Sequence, residues 1–148
     1  MEIERKYLVH DLPADYRAYP FHQIEQGYLC TEPVVRVRRE DDTYYMTYNS
    51  KGLMVREEYN LPLTKEAYGH LIEKADGNVL VKKRYLIPFG RWTVELDVFE
   101  GKFEGLVLAE VEFETEEEAR SFKAPEWFGE DVTFSGEYQN SRLSGQSV

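Results

Sequence analysis

The sequence predicts a mainly β domain of the α+β class, in which about eight antiparallel strands close into a barrel beside two or more helices. Short runs of alternating polar and apolar residues predict the strands, and Gly, Pro and Asp mark the turns between them. The connections are short, which favours an antiparallel meander. With about eight strands, closing the sheet removes its exposed edges. The 148 residues fit one domain, which we place at 1–143, with a flexible tail at 144–148.

Eight runs carry the period-two pattern of a strand. Many of them are rich in Val, Tyr, Ile and Thr, which are the residues that favour strands. Turn residues such as Asp41-Asp42 and Gly52 separate neighbouring runs. The predicted strands are 2–9, 24–30, 34–40, 43–49, 54–61, 79–87, 92–99 and 106–114.

Two segments predict helices. The first has Thr64 as its N-cap and Glu66 in its first turn, and it runs to about Lys74. The second begins at Thr115, and the acidic run 116–118 that follows suits the positive end of a helix dipole.

Charge and composition narrow the choice of partners. Asp and Glu outnumber Lys and Arg by 28 to 18, and the net charge is −10. This excess argues against nucleic-acid and membrane-surface partners, because both present dense negative charge. The single cysteine, Cys30, allows no intramolecular disulfide. Neither a leader peptide nor a membrane-spanning run is evident, so we expect a cytoplasmic protein.

Charged residues repeatedly occupy one face of a strand while apolar residues occupy the other. Acidic residues dominate this face in the first and last strands, and basic residues dominate it in the third and sixth. Two interpretations stay open on the pattern alone: a sheet with one solvated face, or a barrel with a charged lumen. In a lumen, carboxylates would hold divalent cations, and Lys and Arg would bind phosphates. The charged face carries Glu2, Glu4, Lys6, Arg36, Arg38, Glu40, Arg56, Glu58, Lys82, Arg84, Glu95, Asp97, Glu110, Glu112 and Glu114.

Short motifs along nearly the whole chain resemble those of one known family. They are ExExK at 2–6, QGYL at 26–29, RxR at 36–38, RxE at 56–58, KxRY at 82–85, a W…DxFxG run from Trp92 to Gly101, AExE at 109–112, WFG at 127–129, VT at 132–133 and YxN at 138–140. The family is the CYTH family, also called triphosphate tunnel metalloenzymes. The chain looks most like its short bacterial members.

The resemblance implies an eight-stranded antiparallel tunnel that depends on Mg²⁺ or Mn²⁺ and acts on a small triphosphate. It implies four metal ligands, which are Glu2, Glu4, Glu110 and Glu112. Weaker candidate ligands are Glu58, Glu95 and Asp97. The implied phosphate-binding residues are Lys6, Arg36, Arg38, Lys82 and Arg84. In the short members, the motif lysine pairs with the QGYL tyrosine, which here means Lys6 and Tyr28.

Phosphoryl transfer requires positioning and charge neutralisation more than covalent chemistry. We therefore hypothesise that a carboxylate orients the attacking water while Lys6 and Tyr28 stabilise the attacked phosphate or the leaving group. The predicted catalytic residues are Lys6, Tyr28 and Glu4.

The chain departs from the family pattern at two lumen positions. Asn49 stands where the family has a lysine, and Asn60 stands where many members have a second glutamate. Lys51 has the same parity as Asn49 and is predicted to replace the missing lysine, although Gly52 beside it also allows a turn. These exchanges bear on the substrate more than on the chemistry.

The predicted function is hydrolysis of inorganic triphosphate to pyrophosphate and phosphate, since nothing obvious in the sequence provides a nucleobase pocket. A thiamine triphosphatase and a class IV adenylyl cyclase are the alternatives within the enzyme class. A polyphosphate- or nucleotide-binding module without turnover is the alternative from another class. The number of copies in the assembly stays open, with a homodimer as one option.

Overall fold

The computed structural model describes residues 1–145. Nine antiparallel strands form one sheet in the order β5-β1-β9-β8-β7-β2-β3-β4-β6. The strands are β1 (Glu2–Leu8), β2 (Phe21–Thr31), β3 (Val34–Glu40), β4 (Thr43–Asn49), β5 (Val55–Arg56), β6 (Glu58–Pro62), β7 (Asp76–Phe89), β8 (Trp92–Glu100) and β9 (Val107–Glu112). The helices are α1 (Lys65–Ile72), α2 (Glu116–Ser121) and α3 (Asn140–Ser144), with short 3-10 turns at Tyr16–Ala18 and Gly101–Phe103.

The nearly closed barrel confirms the predicted fold class, but the predicted strand 54–61 is two strands. β5 pairs with β1, whereas β6 pairs with β4 at the opposite edge of the sheet. Between them, the backbone of Glu57 bonds to Ser50: Ser50 N donates to Glu57 O at 3.0 Å, and Glu57 N donates to Ser50 Oγ at 2.9 Å. The two edges of the sheet are therefore successive segments of one chain. We call this junction at Glu57 the seam.

The apolar faces of the strands point outward and carry the main hydrophobic core. Val94 and Leu96 of β8 and Val111 of β9 are fully buried there, alternating with charged residues that face the other way. Phe122, directly after α2, packs against this face and contacts the ring of Trp92 at 5.3 Å between centroids. Burying each of these large side chains contributes roughly 1.5–3 kcal/mol, so the outside of the barrel holds the fold together.

Both predicted helices begin at the predicted caps. Thr64 Oγ1 accepts from Ala67 N at 3.0 Å, and Thr115 Oγ1 accepts from Glu118 N at 3.1 Å. Each bond satisfies one of the backbone donors that a helix start leaves free. The first helix ends at Ile72, two residues before the predicted end.

Helix α3 was not predicted, and it occupies the start of the predicted tail. The side chain of Ser144 is buried, and Asn78 Nδ2 donates to Leu143 O at 3.3 Å. Gly77 permits this packing, because a Cβ at that position would lie 2.1 Å from Ser144 O. Residues 146–148 of the predicted tail lie outside the described residues. No helix within the described residues is long and apolar enough to cross a membrane.

Candidate functional site

The charged strand faces meet in the lumen of the barrel. They line a cavity of about 200 Å³, which decides between the two interpretations of the sequence pattern in favour of a charged lumen. Most of the predicted site residues lie on its wall. They are Glu2, Glu4, Lys6, Tyr28, Arg36, Arg38, Glu58, Lys82, Arg84, Glu95, Glu110 and Glu112.

Lys51 does not reach this cavity, so its predicted phosphate-binding role is wrong. Its side chain is 80 % exposed and pairs with Glu32, Nζ to Oε1, at 2.6 Å. β4 ends at Asn49, so the parity of the strand no longer applies two residues later. Asn49 itself faces the cavity and is 1 % exposed.

Three carboxylates converge at one position in the lumen. Glu2, Glu4 and Glu112 each offer a carboxylate oxygen, and these oxygens lie within 4.8 Å of one another. Burial raises the pKa of Glu2 to about 7. Burial and the nearby Glu110 raise the pKa of Glu4 well above its ordinary value, and burial also raises the pKa of Glu112. Such a set of crowded oxygens fits a hard divalent cation, whose charge favours the ionised form of all three groups.

Glu110 faces the basic residues of the lumen as well as Glu4. Its Oε1 lies 3.3 Å from Lys6 Nζ, and its Oε2 accepts from Arg84 Nη2 at 3.2 Å. Burial alone raises the pKa of Glu110, but Lys6 and Arg84 outweigh burial and hold this pKa well below its ordinary value. Glu110 is therefore ionised and links the carboxylate cluster to the cations.

Asp97 lies beneath the lumen wall, and both of its carboxylate oxygens are bound to cations. Arg84 donates Nε to Oδ1 at 2.7 Å and Nη2 to Oδ2 at 2.9 Å, and Lys82 Nζ lies 2.8 Å from Oδ2. Burial works against the charge of Asp97, but Arg84 and Lys82 lower its pKa below the ordinary value. The predicted role of Asp97 as a metal ligand therefore gives way to that of a buried counter-ion.

The other two weak metal candidates, Glu58 and Glu95, line the same cavity, and Glu58 lies beside the cluster of three, where its charge contributes to the raised pKa of Glu2 and of Glu112. Glu58 accepts from Asn60 Nδ2 at 3.2 Å, and Arg84 Nη1 donates to Glu95 Oε2 at 3.4 Å. Burial raises the pKa of Glu95, because its one cationic partner does not fully offset desolvation.

Arg36 and Arg38 stand side by side on β3 but differ in their partners. Arg38 Nε donates to Gln26 Oε1 at 2.8 Å, and its Nη1 lies 3.8 Å from Glu40 Oε1. Within residues 1–145, Arg36 has no carboxylate at ion-pair distance. Burial and the neighbouring Arg38 lower the pKa of Arg36. Arg36 is thus a buried cation that no carboxylate of the described chain contacts, although Glu58 acts on it from farther away, and this arrangement is suited to an anionic ligand.

Lys6 and Tyr28 both line the cavity, but no hydrogen bond joins them in the described part of the chain. The Tyr28 hydroxyl accepts from Gln26 Nε2 at 3.0 Å. Lys6 Nζ donates to Tyr138 O at 3.3 Å and pairs with Glu110. Their predicted pairing stays a prediction for the liganded state.

Among the lumen residues to which sequence reasoning assigned no role, Arg56 and Asn140 contact charged groups of the site. Arg56 Nε donates to Glu2 Oε1 at 2.9 Å and so neutralises part of the carboxylate cluster. The period-two pattern had placed Arg56 on the charged face, but its partner follows from the pairing of β5 with β1. Asn140 Oδ1 accepts from Lys82 Nζ at 2.9 Å. The position of α3 brings Asn140 to the lumen, and the YxN motif at 138–140 had marked this residue without indicating a role for it.

Comparison with known proteins identifies the family. The model of the family described as the CYTH domain matches residues 1–146. The chain belongs to the CYTH domain family. In this CYTH domain, the acidic and basic residues described above line the same cavity.

Curated CYTH relatives cover nearly the whole chain. A protein of Nitrosomonas europaea named inorganic triphosphatase is 38 % identical, and the match covers 97 % of this chain and 96 % of the relative. One of Acetivibrio thermocellus with the same name is 37 % identical over 96 % of this chain and 92 % of its own.

Solved structures agree with the fold. A crystal structure titled as that of an inorganic triphosphatase superposes with a TM-score of 0.75 at 34 % identity, covering 99 % of this chain and 96 % of its own. The PH1012 protein of Pyrococcus horikoshii superposes with a TM-score of 0.63 at 19 % identity, covering 99 % and 92 %. At that identity the second likeness shows the fold alone.

Proposed function

We propose that this protein hydrolyses inorganic triphosphate to pyrophosphate and phosphate inside its charged lumen. One observation carries the proposal: the converging oxygens of Glu2, Glu4 and Glu112 share a cavity with Arg36, a buried cation that forms no ion pair within the described chain. A metal ion and a polyanion together would complete both halves of this site. The names of the two curated relatives support the same substrate.

The carboxylate cluster suits Mg²⁺ or Mn²⁺, because both prefer oxygen ligands. Glu2, Glu4 and Glu112 would hold the ion, and we propose Mg²⁺ as the ion in the cell. When bound, the ion supplies positive charge beside the phosphate oxygens and promotes ionisation of water.

The side chains of this chain supply the rest of the chemistry. Arg36, Arg38 and Arg84 line the same cavity and would neutralise the charge on the non-bridging oxygens of the phosphate chain. A lumen carboxylate would orient the water and take its proton as the water oxygen bonds to the terminal phosphorus. The bridging P–O bond then breaks, and pyrophosphate leaves with the electron pair. Lys6 and Tyr28 would stabilise the charge on the attacked phosphate or on the leaving group.

The nature of the lining favours inorganic triphosphate over an organic triphosphate. Val34 is the only aliphatic residue among the described residues that line the cavity. A nucleobase or a thiazolium ring is bound largely through apolar and aromatic contact. Besides Val34, this wall offers only the rings of Tyr28 and Tyr45 among the described residues, and the rest of the lining is polar or charged, so a thiamine triphosphatase or an adenylyl cyclase fits less well.

A binding module without turnover is the second candidate, and Asn49 is the observation that favours it. The family resemblance implies a lysine at this position, so with the amide this lumen would hold one positive charge fewer than the family pattern. Weaker neutralisation of the transition state is compatible with binding that does not lead to hydrolysis.

Phosphate release separates the candidates. Release would be measured from tripolyphosphate, thiamine triphosphate and ATP, in Mg²⁺ and in EDTA, with cyclic AMP read in the ATP reactions. We expect metal-dependent release that is fastest with tripolyphosphate. If release is fastest with an organic triphosphate, the substrate assignment changes while hydrolysis stands. If folded, metal-loaded protein releases no phosphate, the binding module without turnover remains as the function.

Two matched variants connect turnover to the carboxylate cluster. Glu4→Gln removes one charge from the cluster, and Glu126→Gln makes the same chemical change at an exposed position. We expect Glu4→Gln to lower kcat/KM by about 100-fold or more, as the loss of a charged group at a catalytic centre commonly does. Glu126→Gln should behave as the parent protein. Equal activity of the two variants would place the chemistry elsewhere.

A further inference from the structure

Buried polar atoms without partners are concentrated on one wall of the lumen. Within residues 1–145, four buried side-chain atoms lack a hydrogen-bond partner. One is Arg5 Nε, and the other three are Arg36 Nε and both polar atoms of the Asn49 amide, Nδ2 and Oδ1. Buried polar groups are nearly always satisfied in folded proteins, so a group of three unsatisfied atoms at a cavity indicates that a ligand supplies the partners.

The backbone holds Asn49 firmly in this position. It is the last residue of β4 and pairs with Val34 of β3 on one side and with Glu58 of β6 on the other. The residue is 1 % exposed and lines the cavity. Arg36 pairs with Thr47, two residues before Asn49, so Arg36 and Asn49 are diagonal neighbours on the same face.

On the wall formed by β1, β7, β8 and β9, the lumen side chains of the described residues contribute no buried polar atom that lacks a hydrogen-bond partner. Asp97 pairs with Lys82 and Arg84, and Glu110 pairs with Lys6. These cations still line the cavity, but carboxylates of the protein partly neutralise their charges. A polyanion therefore finds its unmatched donors on the wall formed by β3 and β4.

We propose that Asn49 is a substrate-contacting, specificity-determining residue whose carboxamide binds one end of the triphosphate next to Arg36. Nδ2 donates to a non-bridging phosphate oxygen. Oδ1 accepts from a hydroxyl, such as that of a protonated terminal phosphate, or from water. The wall formed by β3 and β4 thus binds the terminal phosphate through the charged guanidinium of Arg36 and the neutral amide of Asn49. The inference rests on the proposed function in taking the ligand to be a triphosphate.

Asn49→Leu tests the proposal, because Leu has a similar size and cannot form a hydrogen bond. Removal of an unsatisfied buried amide should stabilise the unliganded protein, and we expect the Tm to rise by about 3 °C. The loss of the contact should weaken tripolyphosphate binding by about tenfold, measured by calorimetry in EDTA and as KM in Mg²⁺. A gain in stability together with a loss of affinity is a result that a structural role would not produce.

Thr47→Val on the same strand is the matched control. The Thr47 hydroxyl is buried but already has a partner, since it lies 2.6 Å from Asn60 Oδ1. Its loss should lower the Tm and leave the affinity for tripolyphosphate unchanged. Asn49→Ala provides the same readouts if the Leu variant does not fold.

Two outcomes would overturn the proposal. A lower Tm for Asn49→Leu would show that the amide stabilises the fold. A higher Tm with unchanged affinity would show that water alone satisfies the amide. If the parent protein binds but does not hydrolyse tripolyphosphate, and Asn49→Leu still weakens that binding, the proposed hydrolysis fails while the assignment of Asn49 stands.

Discussion

At the scale of single residues, the role of each lumen side chain depends on its partners as much as on its type. Glu110 and Asp97 are both buried carboxylates of the charged face, yet Glu110 lines the cavity whereas Asp97 is fully buried with each oxygen bound to a cation. Alternation along a strand predicts which face a side chain occupies, and thirteen of the fifteen charged residues that it placed on one face line the cavity. It does not predict which cation of another strand lies opposite, because that depends on the register between strands.

Asp97→Asn should therefore affect stability rather than metal binding. The change leaves Lys82 and Arg84 as buried cations with reduced compensation, and breaking a buried ion pair in this way costs about 3–5 kcal/mol. Denaturant unfolding in EDTA would measure the loss. Metal affinity measured by calorimetry in the folded variant should stay within about twofold of the parent. A metal-binding defect without a stability defect would instead make Asp97 a ligand.

At the scale of secondary structure, the strands and two capped helices could be predicted because each has a local signal. Period-two alternation marks the strands, and Thr64 and Thr115 mark the helix starts. Helix α3 has five residues, which is too short to be stable by local propensity, so tertiary contacts with β7 decide its formation. The division of 54–61 also escaped prediction: three consecutive charged residues, 56–58, interrupt the alternation at Glu57, but this interruption does not by itself show that the chain changes its pairing partner there.

Gly77→Ala should displace α3. Because Asn140 lies in α3, the hydrogen bond from Lys82 Nζ to Asn140 Oδ1 should then be lost. Gly77 has a φ of +68°, and a Cβ there would lie 2.1 Å from Ser144 O. Gly90→Ala is the control, because Gly90 has a φ of +61° with no atom within 4 Å of the added Cβ. Both variants incur the left-handed backbone cost of about 1–2 kcal/mol.

Only Gly77→Ala should raise the KM for tripolyphosphate, by about threefold or more, since only this variant moves Asn140 away from Lys82. Phosphate release as a function of tripolyphosphate concentration would measure it. Equal KM values for the two variants would mean that α3 does not support the lumen.

At the scale of the whole molecule, this barrel is apolar outside and charged inside. The sequence alone left that orientation undecided, because a solvated sheet face shows the same alternation. Sign segregation between strands favoured a lumen, and the folded chain explains why: carboxylates and cations on nearby strands of the wall compensate each other. The net charge of −10 therefore says little about the ligand.

The unliganded protein should lose stability as the pH rises from 4.5 to about 7. Glu2 has its pKa raised from 4.5 to about 7 in the fold, so the folded state holds this proton more tightly than the unfolded state does. The stabilisation is complete below pH 4.5 and is lost as the pH rises through about 7, a contribution on the order of 3 kcal/mol. Glu4 acts in the same direction.

Thermal unfolding from pH 5 to 8, in EDTA and in Mg²⁺, would test this prediction. A bound cation replaces the protons, so saturating Mg²⁺ should restore stability near pH 7. Glu2→Gln should flatten the profile in EDTA, whereas Glu126→Gln should not. Stability in EDTA that increases from pH 5 to pH 7 would contradict the assignment of Glu2.

The seam at Glu57 also sets where the barrel wall opens first. β5 joins β1 through only two residue pairs, Glu2 with Arg56 and Ile3 with Val55, whereas β7 and β8 pair along nine. Amide hydrogen exchange should therefore be fast at Val55 and Arg56 and slow at Leu96, with the first following a local opening and the last the global unfolding. Local separation of β5 from β1 would let solvent reach the interior through the side of the barrel, without movement of its two ends.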